Sequence, residues 1–450
     1  MKPSAPGPAS SELLRHLRTI QRDPLQFLQA CARQYGDIVQ FPIGNLAVFA
    51  LNAPEAVKHV LQDHHRQYGK NTLQFNTLAL VTGRGLLTSD GDLWLRQRRM
   101  LQPAFHRQRI TAFGAAMTAA AEQQDRDWAA HPAGTPVDVD AAMMTTTLAI
   151  VGRTLFNADL RAEAGDLVPA VLTALDFIVY RAQTPLAWPL AVPTPRHLRF
   201  RAALRRLDAA VAGLSQTRQA ALAAGQTPPD DLLQMLLEAR DEAGQPMTPR
   251  QLRDEIITLL IAGHETVASA LTWTWHLLAQ HPAVESRLHA ELDEVLAGRP
   301  AQAADLPRLP YTRAVFDEAL RLYPPAWLIT RQALAPDEIA GHAIPAGALL
   351  IISPYVLQRR PEIWPEPEAF QPERFLGELD ADRPRFAYLP FGGGPRQCIG
   401  NGFALMEGPL VLATLAQRWR LRPAAGRPVH VDALVTLRPR GGLWMTLEGR

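Results

Sequence analysis

The segment TPRQLRDEIITLLIAGHETVASALTWTWHLLAQ, residues 248–280, reads as one continuous helix. Thr248 is its N-cap, Pro249 takes the first helical position, Gln251 at N3 completes a capping box, and Pro282 follows the end. Roughly 32 residues at about 1.5 Å each make a rod of about 48 Å, longer than most helices of globular proteins. It must cross the whole molecule. The runs IITLLIA and VASALTWTW are apolar on nearly every face, which is the pattern of a helix buried all round. AGHET, residues 262–266, stands in its middle. Burying His, Glu and Thr there costs about 1–3 kcal/mol per unsatisfied group. A capped core cluster, a kink holding water, or the edge of a cofactor would compensate. A metal-binding H-E-x-x-H is excluded, because position 268 is Ala.

On either side the pattern stays mostly helical. From Pro54 to Gln302 the apolar spacing is that of helices broken by Pro and Gly. Val284 to Leu296, Tyr311 to Tyr323 and Asn401 to about Arg418 read as further helices. Strands are few. IVQFPIG (38–44) and LAVFALN (46–52) are expected to pair as a hairpin about Gly44-Asn45, AIPAGALLIISP (343–354) as a strand pair about Pro345-Gly347, and VTLRPRGGLWMTLE (435–448) as a closing hairpin. Residues 358–390, rich in Pro, Trp, Phe and Arg, form a long irregular connector, a feature usually tied to function. Residues 1–22 read as a flexible leader and 23–450 as one domain, mainly α with a small β region.

The composition removes whole classes of function. The chain has 450 residues, 47% hydrophobic and 20% charged, so it is not disordered. Lys+Arg 46 against Asp+Glu 44 leaves a net charge of +2, with the signs interspersed, and no nucleic-acid-binding surface is implied. Cys31 and Cys398 cannot build a disulfide framework, and C-x-x-C pairs are absent, which points to a reducing compartment. No signal-like stretch and no run of 18 apolar residues occurs, so a soluble, cytoplasmic protein is expected. Without GK[ST], and without G-x-G-x-x-G after a strand, the chain carries no nucleotide or flavin site of its own.

Chemistry concentrates around Cys398. In FGGGPRQCIG (391–400), glycines permit a tight turn around a sulfur, and the positive end of the following helix favours thiolate over thiol. A lone cysteine is usually structural. A chance match at Phe391, Gly394, Arg396, Cys398 and Gly400 together is roughly a 1 in 10⁴ event, which favours the functional reading. Glu318 and Arg321, three apart on one helix face, make an acid–base pair of the kind normally found on surfaces. Arg374 of PERF (372–375) can complete a buried cluster with them, pinning the irregular connector. Trp94 and Arg98, four apart, offer an indole N–H and a guanidinium to one anion, and Arg331 and Arg396 are further candidates for the same anions.

Taken in order, Trp94-x-x-x-Arg98, AGHET, Glu318-x-x-Arg321, PERF and FGGGPRQCIG resemble the cytochrome P-450 family of heme-thiolate monooxygenases, over nearly the whole chain. The resemblance implies a mainly α triangular prism, with heme b (iron protoporphyrin IX) between the long central helix and the Cys-loop helix. It implies Cys398 as axial ligand of the heme iron, its thiolate favouring O–O cleavage. Phe391 would shield the sulfur, and Trp94, Arg98, Arg331 and Arg396 would hold the propionates. Gly400 belongs to the same cofactor-binding motif. Ala262 and Gly263 would leave room for dioxygen, while Thr266 and Glu265 would deliver protons during its activation. Glu318, Arg321 and Arg374 would be structural. Gln358-Arg359-Arg360 departs from the family pattern, where His-Arg-Asp is frequent.

A narrower resemblance, carried by AGHETVASALTW, EALRLYPPAW, SPYVLQR, VTGRGLLT and VTLRPRGG, is to soluble bacterial carotenoid hydroxylases of this family. It implies hydroxylation of the β-ionone ring at position 2 or 3. Hydroxylation of a fatty acid or other lipid is the alternative, and a peroxygenase or a non-oxygenating heme protein a more distant one. Electrons would come from an external ferredoxin or flavodoxin with its reductase, received at Arg99, Arg107, Arg109 and Arg360. Leu186, Trp188, Leu190 and Val192, followed by Arg196, Arg199, Arg201, Arg205 and Arg206, suggest peripheral membrane contact.

Overall fold

The computed structural model describes residues 5–44, 46–184, 187–241, 244–377 and 383–450, apart from the side chains of residues 14–19. The chain forms two compact units, each discontinuous in sequence. One takes in residues 1–76, 317–399 and 431–438, the other residues 77–316, 400–430 and 439–450.

The first unit is built on a sheet. Helices α1 (Ser10–Arg22) and α2 (Pro24–Tyr35) precede strands β1 (Ile38–Ile43), β2 (Leu46–Leu51), β3 (Tyr68–Gly69), β4 (Ile329–Ala333), β5 (Asp337–Ile339), β6 (His342–Ile344) and β7 (Leu349–Ile352). The main sheet runs β1-β2-β7-β4-β3, with β2 and β7 parallel and its other pairs antiparallel. The expected hairpin forms, with Ile38 opposite Leu51 and Ile43 opposite Leu46; Asn45 of its turn lies outside the described residues. Alternation along β2 serves two cores. Phe49 and Leu51 pack with Val57, Val60 and Leu350 on one face, and Val48 and Ala50 pack with Leu13, Cys31 and Phe41 on the other.

Three expectations change here. Within the stretch read as a flexible leader, residues 10–22 are helical, Leu13 is buried against the hairpin, and the Pro6 carbonyl accepts the Gln40 N–H at 2.8 Å. An apolar helix face covering the sheet gives this segment a place in the core. The strands of residues 343–354 do not pair with each other. β6 pairs with β5, while β7 pairs with β2 and β4, because the turn at Pro345 and Gly347 (φ 81°) leads the chain into the other sheet. The closing stretch is likewise no hairpin. Leu437–Pro439 pairs with Val431–Ala433, and Trp444–Gly449 lies between Val137–Asp138 and Trp419–Pro423.

The second unit is helical, with α3 (Gly91–Leu101), α4 (Gly114–Ala129), α5 (Val139–Leu155), α6 (Ala164–Gln183), α7 (Pro195–Ala223), α8 (Pro249–Gln280) and α9 (Pro282–Leu296). Helix α10 (Pro310–Leu322) crosses the division between the units, and α11 (Asn401–Ala416) closes the helical series. At α8, Thr248 accepts the Gln251 N–H and the Gln251 side chain accepts the Thr248 N–H, the capping box expected from sequence. Helix α8 is long and apolar enough to cross a membrane, yet its apolar window is 83% buried inside the chain. Its main neighbour is α5. The approach is closest at Gly263, where a Cβ would lie 2.9 Å from Val151 Cγ2.

Candidate active site

The Cys398 loop lies in the first unit. It closes on itself through the Cys398 N–H, which donates to the Phe391 carbonyl at 3.0 Å, and the Gln397 N–H, which donates to the Gly394 carbonyl at 3.0 Å. Gly394 has φ 69°, a left-handed conformation that costs glycine little. Space demands glycine there as well, since an added Cβ would lie 1.9 Å from the Leu61 carbonyl oxygen, and one on Gly393 would lie 2.4 Å from the Phe386 ring. The loop is therefore pressed against its neighbours, while Cys398, which is in no disulfide, is exposed at its end. An accessible thiol on a braced loop fits the ligand of a heme iron. Arg396 sits in the short turn before it. β4, which carries Arg331, runs alongside: a Cβ on Gly392 would be 3.8 Å from Ile329 Cδ1. Arg331 itself is buried, donates to the Thr330 carbonyl at 2.8 Å and stands over the Phe75 ring.

The polar cluster foreseen for the connector forms in the same unit. Glu318 and Arg321 have no exposed surface and make a bidentate pair at 2.6 and 2.7 Å. Arg321 also donates to the carbonyls of Gln358, Pro367 and Ala369, Arg374 lies 3.4 Å from Glu318, and the Gln371 N–H donates to Glu318. These bonds give the irregular chain the partners it lacks as secondary structure. Gln358, which the sequence reading treated only as a departure from pattern, is buried and braces this chain. Its amide donates to the Arg321 carbonyl at 2.9 Å and accepts the Leu389 N–H at 2.7 Å, two residues before Phe391.

The other candidate residues, Trp94, Arg98, Ala262, Gly263, Glu265, Thr266 and Gly400, belong to the second unit. Asp90 caps α3 by accepting the Gly91 N–H, which sets Trp94 and Arg98 one turn apart. Trp94 is 9% exposed and Arg98 half-buried. Between residues 254 and 275 of α8, only Ala262, Gly263 and Thr266 are not buried. At i, i+1 and i+4 they form one open patch, two small apolar residues and a hydroxyl. Thr266 Oγ1 donates to the Ala262 carbonyl at 2.7 Å. His264 and Glu265 face inwards. His264 Nδ1 meets the Leu260 carbonyl at 2.6 Å, and the His264 carbonyl accepts the Thr147 hydroxyl at 2.9 Å. Gly263 owes its missing side chain to the contact with Val151, so the space expected there for dioxygen is taken on that side by α5.

Three acids of this unit escaped the sequence reading, which had only their place in apolar helices to go on. Asp254 and Glu255 hold the loop of residues 81–88 against α8, accepting the N–H groups of Arg84 at 2.9 Å and Leu86 at 3.0 Å. Burial pushes the Glu255 carboxyl up to about 7. They also line a cavity of about 940 Å³ with Arg84, Gln97 and Met100, whose lining does not include Ala262, Gly263 or Thr266. Glu407 is fully buried on α11 with both oxygens lacking hydrogen bonds, and desolvation raises its carboxyl well above the usual carboxylate range.

The surfaces read as interaction sites are only partly open. Arg360 pairs with Asp37 and Glu362, and Arg109 with Asp230, whereas Arg107 is exposed. Trp188 is 62% exposed, but Leu190 and Val192 are half-buried, and Arg181 and Arg201 turn back to the carbonyls of Trp188 and Leu190. Leu186 lies outside the described residues.

The profile of the family described as Cytochrome P450 matches residues 5–444. The chain is 40% identical to cyclooctatin synthase of Streptomyces melanosporofaciens, covering 99% of this chain and 95% of the relative. It is 38% identical to cyclooctat-9-en-7-ol 5-monooxygenase of the same organism, covering 93% and 90%. Protein LUTEIN DEFICIENT 5, chloroplastic, of Arabidopsis thaliana is 32% identical, covering 92% and 72%. A family profile matched over nearly the whole chain, with relatives 40% and 38% identical, shows that the chain belongs to the cytochrome P450 family of heme b monooxygenases.

Proposed function

We propose that this monooxygenase hydroxylates the β-ionone ring of a carotenoid at position 2 or 3, in the cytoplasm, with electrons from an external ferredoxin or flavodoxin and its reductase. The observation that carries the reading is the open patch on α8. Ala262 and Gly263 offer nothing polar, and Thr266 offers one hydroxyl, an environment for an unactivated hydrocarbon C–H and one managed proton. The carotenoid choice is supported by the likeness to Protein LUTEIN DEFICIENT 5, whose name refers to a carotenoid.

In this reading Cys398 would hold the heme iron, Phe391 and Gly400 would shape the loop around the sulfur, and Trp94, Arg98, Arg331 and Arg396 would bind the propionates. The heme, when bound, supplies the binding and reductive activation of dioxygen. The chain supplies position and protons. Thr266 Oγ1, held by the Ala262 carbonyl, can rotate to present its proton towards the open patch. Glu265, buried next to it in sequence, would replenish that proton.

A second reading is favoured by the higher identity, 40% and 38%, to cyclooctatin synthase and cyclooctat-9-en-7-ol 5-monooxygenase, the latter name describing an alkenol substrate. The test is co-expression with a ferredoxin and reductase in cells that make β-carotene, and separately in cells fed cyclooctat-9-en-7-ol. Extracts are read by mass spectrometry and NMR, with Cys398→Ala as control. A ring-hydroxylated carotenoid absent from the control supports the proposal. Product from the alkenol alone transfers the substrate to the second reading.

A further inference from the structure

Outside the candidate active site, the described residues include one group of three metal-competent side chains, His59, His64 and Asp337. All three belong to the first unit. Local backbone brings the two histidines together. After the short helix Pro54–Lys58, residues His59–Asp63 form a π-helical turn, closed by the His64 N–H donating to the His59 carbonyl at 2.8 Å. A π turn superposes residues five apart, which an α-helix would rotate away from each other. The imidazoles accordingly stack, with centroids 4.0 Å apart.

The first residue of β5 completes the group. Asp337 Oδ2 lies 2.9 Å from His59 Nε2 and 3.8 Å from His64 Nδ1, and the three donor atoms are all within 4.8 Å of one another. Zn–N and Zn–O bonds of about 2.0–2.2 Å in a tetrahedron place neighbouring donors roughly 3.3–3.5 Å apart, between the two distances found. Tyr68 OH donates to the same Oδ2 at 2.6 Å, and the Glu338 N–H donates to Oδ1 at 2.7 Å, so the carboxylate is oriented from outside. Asp63, the carboxylate within the turn, is engaged with Lys58 at 2.6 and 2.8 Å and does not compete. Two imidazoles and one carboxylate suit a borderline ion such as Zn²⁺ better than Mg²⁺ or Ca²⁺.

We propose that His59, His64 and Asp337 bind a divalent transition-metal ion, with the fourth position left to water. The ion would tie the π turn to β5. That turn also supports the Cys398 loop, because the Leu61 carbonyl in its middle is the group that a side chain on Gly394 would strike. Metal binding should therefore stabilise the heme-loaded protein as well as being measurable in itself.

The test is calorimetric titration of chelator-stripped, heme-loaded protein with Zn²⁺, with metal content by mass spectrometry and melting followed by circular dichroism. We expect one saturable site, no comparable uptake of Mg²⁺, and a melting temperature that rises with Zn²⁺. His64→Gln, at a half-exposed ring, and Asp337→Asn, which keeps an oxygen for Tyr68, should fold and weaken that site at least tenfold. Tyr68→Phe should weaken it by about tenfold through the carboxylate's orientation. No saturable uptake by the native protein, or equal affinity in the native protein and both ligand variants, would overturn the assignment.

Discussion

Glu255 accepts the backbone N–H of Leu86 at 3.0 Å through one carboxyl oxygen, while its other oxygen is buried without a hydrogen bond. A helix side chain thus holds a loop that neither element's own periodicity would place. Desolvation lifts the carboxyl from its ordinary 4.5 to about 7; the Leu86 bond opposes the rise, and Asp254 adds to it.

The sign of the pH effect follows. Between about pH 4.5 and 7 the folded protein keeps a proton that the unfolded chain releases, so stability falls as pH rises through this window and levels off above it. The full loss is about 3 kcal/mol. Glu255→Gln keeps an oxygen for Leu86 and removes the charge. Its melting temperature should exceed the native value by a few degrees at pH 8 and match it near pH 5, in melts followed by circular dichroism. Parallel curves would show that Glu255 does not titrate in this range.

Glu318 and Arg321 should be costly to separate. Each is wholly buried against the other, so replacing either one by Leu leaves a buried charge and costs about 3–5 kcal/mol. The double replacement should cost clearly less than the sum. A double-mutant cycle by denaturant unfolding measures this, and simple additivity would deny the coupling.

Two glycines separate backbone conformation from crowding. Gly426 and Gly394 both have positive φ, 71° and 69°, but only Gly394 faces a close neighbour. Gly426→Ala should lose about 1–2 kcal/mol. Gly394→Ala should lose more and lower the ratio of heme to protein, measured by the pyridine hemochrome spectrum. Equal losses in both would mean that the Leu61 carbonyl gives way freely.

Thr266→Ala tests proton handling apart from folding. The hydroxyl's bond to the Ala262 carbonyl lies within its own helix and adds little to stability. Melting should stay within about 0.5 kcal/mol of native. Product formed per reducing equivalent should fall at least tenfold, with Thr266→Ser restoring most of it. Unchanged coupling would remove Thr266 from the chemistry.

Much was legible in the sequence because its causes are local. The Thr248–Gln251 capping box, the all-round apolar runs of residues 256–262 and 267–275, the Gly44-Asn45 hairpin and the tight glycine loop before Cys398 depend on residues a few positions apart. The family followed from several such patterns in order. Partners distant in sequence were another matter. Nothing near Gln358 announces its bond to Leu389, nothing near Glu255 announces Leu86, and nothing near His59 announces Asp337, 278 positions away. The strands of residues 342–352 were recognisable, but which strand each would join was not, since sheet pairing is settled by the edges that folding brings within reach. The sequence by itself determined most of the helices, the first hairpin and the tight glycine turn before the candidate thiol, because capping, periodicity and turn chemistry act over a few residues, while the reaction class came from the family resemblance that the motifs carry together. Only the tertiary structure decided which buried acids hold which backbone, which residues of the long helix stay open and where two histidines meet an aspartate, because those depend on contacts between segments far apart in the chain.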